Sequence, residues 1–409
     1  MSLEKLGPAL KSEVAALERE GRAKAPERVI VGYLPPAGGR GPRYRLQGSS
    51  LDFLRMNSNS YLSLSNHPAL LEAADEASRR FGAGPGAVRF IDGTCTEHVA
   101  LEARIARFVD RPAARIFNSA YTSVLGLAMT LSGPDTYWIG DELNHNCIIR
   151  AMRIANVPKE QRAVFRHNDV DDLAAHLDRV PAGVGRVLVI FDGIFSMRGD
   201  NAPLDAIAAL VARHDARFRD GVTTIMDDSH GIGAYGATGR GTEDHCHRRV
   251  DILVGTFGKA FGVNGGFVAG SPELVEALRQ KADTYIYTNP LGAADCAAAV
   301  KAVDIADGAE GRERLRNLGE RTRQLRDGLQ QLGLESIPGP HPVVPLLLRD
   351  TERVRRFVRG LYDRGILAVG LTYPVVPKGD ETIRFQVNAA HTAADIDQVL
   401  GALESLAAH

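Results

Sequence analysis

The sequence of 409 residues is poor in cysteine, in net charge and in long apolar runs. Its four cysteines form no C-x-x-C pair, which argues against a disulfide scaffold or a thiolate zinc site and is typical of a reducing compartment. Because 49 Lys and Arg residues face 50 Asp and Glu residues, no excess positive charge is left for a nucleic-acid partner. No apolar stretch approaches the ~20 residues that span a bilayer, and the charged first segment lacks an apolar signal core. We therefore expect a cytoplasmic protein with no transmembrane segment and no nucleic-acid partner.

Apolar residues are nevertheless abundant, at 44% of the chain, so the sequence can bury a large core. Short apolar runs alternate with helical patterns, and the runs are ARIFNS, DTYWIGD, RVLVIFDGIFSM, VTTIMDDSHG and VDILVGTFG. Continuously apolar strands with helices between them are typical of a mostly parallel sheet that is covered on both faces. The sequence therefore predicts an α/β fold.

Three regions are predicted along the chain. Residues 1–55 form an N-terminal helix and arm, since an amphipathic pattern over residues 3–24 precedes a segment rich in proline and glycine. Residues 56–290 form a large sheet domain, and residues 291–409 form a smaller C-terminal α/β domain in which helical and strand patterns alternate again. The apolar stripe of the first helix needs a surface to pack on, either on a second subunit or on its own chain.

Ionisable and hydroxyl side chains follow the predicted strands. Ligands of parallel sheets bind in the crevice beyond the carboxyl ends of the strands, so residues at these ends meet there. A single aspartate after a strand is usually a turn or cap residue, and a single lysine in a loop is usually a solvated charge. Several strand ends that converge on one crevice favour a functional site instead. The residues at these ends are His145, Asp192, Ser196, Asp227, Asp228, Ser229, His230, Thr256 and Lys259.

The side chains at these strand ends have complementary chemistry. Lys259 lies between two small residues, so a carbonyl compound can approach its amine. A carboxylate beside a pyridine nitrogen keeps that nitrogen protonated, and hydroxyl groups and the N–H groups of a helix N-terminus bind a phosphate dianion. The phosphate-binding groups are expected at Ser119, Ala120, Tyr121 and Thr256. The set as a whole predicts pyridoxal 5′-phosphate (PLP) as cofactor.

Two other motifs invite different interpretations. Residues 231–236 match G-x-G-x-x-G, but the dinucleotide-binding motif requires the glycines to open a helix, and here they run into ATGRGTED, which is typical of turns. The consecutive residues His245, Cys246 and His247 cannot easily ligate one metal ion, and no further ligand set accompanies them. We therefore expect neither a dinucleotide site nor a metal site.

The motifs taken together resemble a known family. TFGKAFGVNGG, MDDSHGIGAYGATGRG, DELNHNCII, FDGIFSMRGDNAPL and YPVVPKGDETIRFQVNAAHT occur in the order found in the α-oxoamine synthases. The resemblance extends from about Asn57 to His391. It implies the PLP-dependent transferase fold type I, which is the aspartate aminotransferase-like fold. The chain departs from the family pattern at Ser63, Val263 and Asn264.

The resemblance also implies a role for individual residues. Lys259 would hold PLP covalently and later move protons at the substrate Cα. Asp227 would pair with the ring nitrogen, His230 would contact the phenolic oxygen, and His145 would stack on the ring. The residues expected to flank the cofactor or hold its phosphate are Asp192, Ser196, Ser119, Ala120, Tyr121 and Thr256. Thr288 would reach the phosphate in a neighbouring subunit, and Asn59 and Arg384 would bind the substrate carboxylate.

Members of this family condense an amino acid with an acyl-CoA thioester. The block TYPVVPKGDETIRFQVNAAHT is most similar to glycine C-acetyltransferase, whereas FDGIFSMRGDNAPL and FRHND are more similar to 8-amino-7-oxononanoate synthase. We expect a PLP-dependent C-acyltransferase that acts on glycine or a similar amino acid and on an acyl-CoA or acyl-carrier thioester. The alternatives are a decarboxylating member of the family, such as one that resembles 8-amino-7-oxononanoate synthase or serine palmitoyltransferase, and an aminotransferase of the same fold. We expect a homodimer with active sites at the subunit interface.

Overall fold

The computed structural model describes residues 2–373 and 375–408. Three residues lie outside the described residues: Met1, Pro374 and His409. Pro374 belongs to the motif YPVVPKGDETIRFQVNAAHT, and Met1 and His409 are the ends of the first and the last predicted region. The helices are α1 Ser2–Arg19, α2 Pro68–Phe81, α3 Thr96–Phe108, α4 Ala120–Leu131, α5 Asn146–Ile154, α6 Val170–Asp178, α7 Leu204–His214, α8 Thr242–Cys246, α9 Pro272–Lys281, α10 Asp283–Ile286, α11 Ala293–Asp307, α12 Ala309–Gln331, α13 Thr351–Tyr362 and α14 Ala393–Ala407. The strands are β1 Ile30–Leu34, β2 Arg43–Leu46, β3 Asp52–Arg55, β4 Ala113–Phe117, β5 Thr136–Asp141, β6 Arg162–Phe165, β7 Arg186–Asp192, β8 Val222–Asp227, β9 Ile252–Thr256, β10 Gly266–Gly270, β11 Val343–Leu347, β12 Ile366–Leu367, β13 Val369–Leu371 and β14 Thr382–Gln386.

Helix α2 shows how local sequence sets the helix ends. The side chain of His67 accepts a hydrogen bond from the Ala69 N–H, and Pro68 occupies the first turn, where its missing N–H costs nothing. The helix ends at Gly82, whose φ of 82° favours glycine.

A seven-stranded sheet dominates one part of the chain, with the order β4-β10-β9-β8-β7-β5-β6. All its neighbouring strands are parallel except β10, which runs antiparallel to both β4 and β9. The predicted mostly parallel α/β sheet is confirmed. Strand β10 is an addition, because glycines at both its ends concealed the apolar run in the sequence.

An apolar core covers one face of this sheet. This core contains side chains of α4 and α5 together with the fully buried Trp138 of β5. Ile225 of β8, in the centre of the sheet, belongs to the same core. Strands β7, β8 and β9 are buried along almost their whole length, as expected for a sheet that is covered on both faces. This packing holds the carboxyl ends of the strands in fixed positions.

Two smaller sheets lie in another part of the chain. One has the order β1-β2-β3-β12, and the other has the order β11-β14-β13 with antiparallel pairing throughout. Asp395 of α14 is fully buried and binds Arg43 of β2 through a 2.6 Å ion pair. Its carboxylate also accepts hydrogen bonds from the backbone N–H groups of Gly41 and Thr392, at 2.9 and 2.8 Å.

Contacts divide the chain into two compact units. One contains the described residues of 1–58, 321–338 and 343–409, and the other contains residues 59–320 and 339–342. The N-terminal arm thus groups with the C-terminal segment, and α11 belongs to the unit with the large sheet, whereas the sequence places a boundary at residue 291. The three-part domain division stays a prediction. No helix within residues 2–373 and 375–408 has the length and apolar character needed to cross a bilayer.

Candidate active site

A cavity of about 210 Å³ lies at the carboxyl ends of strands β5, β7, β8 and β9. It is lined by the predicted residues Ser119, Ala120, Tyr121, His145, Asp192, Ser196, Asp227, His230, Thr256 and Lys259. The prediction that these strand ends converge is therefore confirmed. Cys147, Ile194 and Ser229 complete the lining.

Asp227 is the last residue of β8 and is buried in the cavity wall. Its Oδ1 atom accepts a hydrogen bond from the Ser229 N–H at 3.0 Å, which holds the carboxylate beside the strand end. The Cys147 Sγ atom lies 3.7 Å from Asp227 Oδ2 and 3.0 Å from His145 Nδ1. Asp227 is thus presented to the cavity in a fixed orientation.

His145 precedes α5 and is hydrogen-bonded to the end of β7, the neighbour of β5 in the sheet. Its backbone N–H donates to Asp192 Oδ2 at 3.0 Å, which connects the β5 turn to the end of β7. Burial of the ring lowers the pKa of His145, and this effect outweighs that of Asp227, which raises it. The lowered pKa favours the neutral form of the ring.

Asp192 has one oxygen without a partner. Its Oδ1 atom is buried and has no hydrogen bond within the described residues, and the same holds for the Ser229 hydroxyl. Burial and the neighbouring Asp227 raise the pKa of Asp192 well above its ordinary value, although Lys259 opposes them. Unsatisfied buried polar atoms are rare in folded proteins, and two of them in one cavity wall indicate a polar ligand.

Lys259 follows β9 in the turn that leads to the glycine-rich segment. It lines the cavity together with His145 and Asp192, and its charge lowers the pKa of both. Thr256, predicted to bind phosphate, donates its hydroxyl proton to the Gly265 carbonyl oxygen at 2.9 Å and accepts from the Gly258 N–H at 3.0 Å. The Thr256 hydroxyl therefore also holds the lysine loop in shape.

The N-terminus of α4 forms one end of the cavity. Ser119 caps the helix, since its hydroxyl accepts from the Thr122 N–H at 3.1 Å. The N–H groups of Ala120 and Tyr121 have no acceptor inside the helix and belong to its positive end. Gly266 of β10 lies directly against the backbone of Ser119 and Ala120, where a Cβ atom would overlap them.

His230 is supported by two residues that sequence reasoning missed. Its Nδ1 atom lies 2.7 Å from the Tyr61 hydroxyl, and its carbonyl oxygen lies 3.0 Å from Nε2 of the fully buried His341. Tyr61 in turn contacts Asn59, through a 2.8 Å backbone hydrogen bond. No local signal identifies these partners, because Tyr61 and His341 are each more than a hundred residues away from His230 in sequence.

Three predicted residues do not line this cavity. Thr288 lies in a smaller pocket with Asn118, whose amide is 3.4 Å from the Thr288 hydroxyl. Asn59 reaches the cavity through Tyr61 and His230. Arg384 lies on β14, paired with Pro345 and Val369 in the small sheet. The roles of Thr288, Asn59 and Arg384 stay predictions.

The glycine motif of residues 231–236 opens no helix, and its first glycine lies against a buried carboxylate. Asp228 is fully buried and accepts two hydrogen bonds from Thr242, from its N–H at 2.8 Å and from its hydroxyl at 2.6 Å. Gly193, Gly231 and Gly241 each lie so close to the Asp228 carboxylate that a Cβ atom would overlap it. The motif therefore has the turn structure that its sequence predicts.

The residues present fit PLP. The cavity combines an amine, a buried carboxylate, an imidazole and a helix N-terminus, and its wall contains two buried polar atoms without partners. Within the described residues, no three His, Cys, Asp or Glu side chains are grouped closely enough to hold a metal ion. The His245 ring instead stacks on Tyr235, with 4.4 Å between ring centroids.

Comparison with known proteins agrees with this geometry. The sequence profile of the family "Aminotransferase class I and II" matches residues 52–403. An 8-amino-7-oxononanoate synthase of Thermosipho melanesiensis is 37% identical over 355 residues, which cover 86% of this chain and 88% of the relative. The mitochondrial 2-amino-3-ketobutyrate coenzyme A ligase of Homo sapiens is 37% identical over 404 residues, which cover 98% of this chain and 92% of the relative. The chain belongs to the α-oxoamine synthases of this family.

Solved structures extend the likeness of this α-oxoamine synthase to the whole chain. A serine palmitoyltransferase of Sphingomonas wittichii superposes with a TM-score of 0.87 at 27% identity and covers 99% of this chain and 98% of its own. The enzyme of S. paucimobilis, with a bound PLP–myriocin compound, gives a TM-score of 0.86 at 27% identity, covering 99% of this chain and 98% of its own. The expected fold type I, the PLP cofactor and the acyltransferase class are confirmed.

Proposed function

We propose that this α-oxoamine synthase condenses glycine, or an amino acid of similar size, with a short-chain acyl-CoA and releases an α-amino ketone-type product and free CoA. The observation that carries this proposal is the grouping of Lys259, Asp227 and His145 in one cavity with the N-terminus of α4. The human 2-amino-3-ketobutyrate coenzyme A ligase supports the choice of substrates, because it aligns with 98% of this chain.

Each residue has a defined task in this proposal. When bound, PLP supplies a ring that withdraws electrons from the substrate Cα. Asp227 would keep the ring nitrogen protonated, and the His145 imidazole would stack on the ring. Lys259 holds the cofactor and then removes and returns the proton at the substrate Cα. The Ala120 and Tyr121 N–H groups bind the phosphate at the helix end.

The substrate carboxylate is assigned to Asn59 and Arg384. The planar guanidinium of an arginine matches a carboxylate in two places, which gives a directional anchor. An Arg384→Lys variant keeps the positive charge but loses the planar guanidinium that can bind both carboxylate oxygens. We expect its KM for the amino acid to rise at least tenfold, with a smaller change in KM for the acyl-CoA.

We further propose a homodimer in which Thr288 serves the neighbouring active site. The support is the exposed apolar stripe of α1, where Leu6, Leu10 and Val14 are 48%, 47% and 53% exposed. Sedimentation velocity checks this proposal, with a Leu6→Glu and Leu10→Glu double variant as the probe of the stripe. An active monomer at low concentration would overturn it. The cytoplasmic location expected from the composition stays a prediction.

The substrates are tested with a panel of amino acids and acyl-CoA thioesters, by measuring thiol release and product mass together. We expect one CoA per product and the highest kcat/KM with glycine and a short acyl chain. Borohydride should trap the cofactor on Lys259 in the wild type and leave none attached in Lys259→Ala. Lys281→Ala is the matched control, because the Lys281 ammonium donates to the Thr130 carbonyl oxygen outside the cavity. A Lys259→Ala protein that turns over at the wild-type rate would contradict the proposal.

A decarboxylating condensation is the second candidate. It is favoured by the 37% identity to the 8-amino-7-oxononanoate synthase of Thermosipho melanesiensis. The same panel separates the two, because loss of CO2 lowers the product mass by about 44 Da relative to the sum of acyl group and amino acid. An aminotransferase would instead form a keto acid without thiol release.

A further inference from the structure

His167 lies just beyond β6, outside the cavity lining, between two carboxylates. Its Nδ1 atom is 3.2 Å from Asp141 Oδ1, and its Nε2 atom is 3.2 Å from Asp200 Oδ2. Because each ring nitrogen faces a carboxylate oxygen, both nitrogens must carry a proton for both hydrogen bonds to form. The two carboxylates therefore favour an imidazolium.

The electrostatics agree with this protonation state. Burial lowers the pKa of His167, but the hydrogen bonds to Asp141 and Asp200 outweigh burial and raise the pKa to about 9. The other groups that face the ring nitrogens or share their partners are Arg198, whose Nε donates to Asp200 Oδ2 at 2.9 Å, and the Asn168 amide, 3.3 Å from His167 Nε2. The side-chain carboxylate of Glu142 binds the His167 backbone N–H at 2.9 Å.

Asp141 connects His167 to the turn that carries His145. It is the last residue of β5 and its side chain is almost fully buried. Its Oδ1 atom accepts from the Leu143 N–H and its Oδ2 atom accepts from the Asn168 N–H, both at 2.8 Å. These bonds fix the turn between Asp141 and His145.

Asp200 connects His167 to the loop that follows β7. In this loop the Phe195 N–H donates to the Asp200 carbonyl oxygen at 3.0 Å, and the Phe195 ring packs edge-on against His167 with 4.4 Å between centroids. Ile194 and Ser196, on either side of Phe195, both line the cavity. A shift of this loop would therefore move the cavity wall.

We propose that the His167 imidazolium is a positioning residue that locks the β7 loop with Ser196 onto the β5 turn with His145. It touches neither cofactor nor substrate and acts through Asp141 and Asp200. This inference rests on the proposed function for its kinetic consequence, whereas its effect on cofactor binding needs only the PLP site. Loss of the proton from His167 removes one of the two hydrogen bonds and releases one of the two segments.

The sign of the pH effect follows from the raised pKa. A histidine whose folded-state pKa is raised contributes stability that is complete below its unfolded value near 6.5 and is lost as the pH rises through about 9. Both hydrogen bonds of the His167 ring are therefore present at neutral pH, and one of them is lost at alkaline pH. Asp200→Asn removes one of the carboxylates that stabilise the proton on His167, so it should lower the pH at which this proton is lost.

The experiment compares the wild type with His167→Gln, Asp200→Asn and the control His214→Gln. His214 on α7 makes a similar 3.1 Å contact with Asp178 but lies outside the cavity lining. The affinity of each apoprotein for PLP is measured by absorbance from pH 7 to pH 10, and kcat/KM is measured on the loaded enzymes. Nitrogen NMR of labelled protein reports the protonation of the His167 ring directly.

We expect His167→Gln to weaken PLP binding and kcat/KM about tenfold at pH 7.5, since small displacements in an active site have effects of this size or larger. The ratio of wild type to His167→Gln should approach one as the pH rises past 9, and Asp200→Asn should shift this convergence to lower pH. A ratio that does not change between pH 7 and pH 10 would overturn the proposal. Wild-type values in His167→Gln, or a neutral His167 ring at pH 7.5, would overturn it as well.

The cofactor affinities keep this test separate from the proposed function. If no amino acid and thioester pair gives a condensation product, the proposed function fails, and the pH-dependent PLP affinities still decide the role of His167. If His167→Gln does not fold, Asp200→Asn and the NMR measurement decide it, because both retain the imidazole ring.

Discussion

Two buried aspartates in different parts of the chain have opposite environments. Asp395 is fully buried, and its oxygens accept from Arg43, from the Gly41 N–H and from the Thr392 N–H. Asp192 is buried to a similar extent, yet one of its oxygens has no partner within the described residues. Burial raises the pKa of Asp395, but its hydrogen bonds outweigh burial and lower it, whereas burial and Asp227 raise that of Asp192. The carboxylate of Asp395 thus has its partners within the fold, whereas that of Asp192 lines the cavity and keeps one oxygen available to a ligand.

The largest effect is expected for the satisfied carboxylate. Asp395→Asn leaves Arg43 with a buried and uncompensated charge, so the free energy of unfolding should fall by about 3–5 kcal/mol. Urea denaturation checks this expectation, and the exposed pair Arg79–Asp75 offers Asp75→Asn as a control, which should cost well under about 1 kcal/mol. A loss below about 1 kcal/mol in Asp395→Asn would remove the contrast between the two aspartates.

The next largest effect is expected at Asp227, which lines the same cavity as Asp192. Asp227→Asn keeps the shape of the side chain and removes the charge that, in the proposed function, holds the ring nitrogen protonated, so kcat should fall by about 10²–10³-fold. Asp192→Asn should reduce kcat less, because Asp192 is assigned to flank the cofactor. Steady-state kinetics with a fixed thioester decides between them. Equal losses in both variants would show that the two carboxylates share one task.

The pH dependence of stability sharpens the comparison. Asp192 has a raised pKa, so it favours the folded state below its ordinary pKa and this contribution is lost as the pH rises through the raised value. Apo Asp192→Asn should therefore gain stability relative to the apo wild type as the pH rises above about 4. Asp395 has a lowered pKa, so the deficit of Asp395→Asn should shrink as the pH falls below about 4. Unfolding curves between pH 3 and pH 8 give both slopes, and slopes of the same sign would contradict the assignment.

The smallest effects are expected for two hydroxyl groups. Thr392 caps α14, since its hydroxyl accepts from the Asp395 N–H at 3.3 Å, and Thr392→Ala should cost about 1 kcal/mol. Ser229→Ala removes a buried hydroxyl without a partner, so the apoprotein should keep its stability or gain slightly. PLP affinity should fall in Ser229→Ala and stay unchanged in Thr392→Ala. If Ser229→Ala lowers the free energy of unfolding of the apoprotein by more than about 1 kcal/mol, the Ser229 hydroxyl has a structural role.

The sequence allowed much of the sheet and its chemistry to be predicted, because both depend on short-range patterns. Apolar runs identified β5, β7, β8 and β9, and the polar residues after them identified the cavity lining. Strand β10 was missed because its glycines carry no strand signal, although Gly266 is needed for contact with Ala120. The support of His230 by Tyr61 and His341 depends on tertiary contacts that no spacing reveals.

The enclosure of Asp228 has a consequence for protein engineering. Gly193, Gly231 and Gly241 surround one carboxylate so tightly that any larger residue at these positions must displace it. Libraries that aim at new substrates will therefore yield few soluble members from these three codons. Val263 is half-buried and Asn264 is exposed, so we expect diversity introduced at these two positions to be better tolerated.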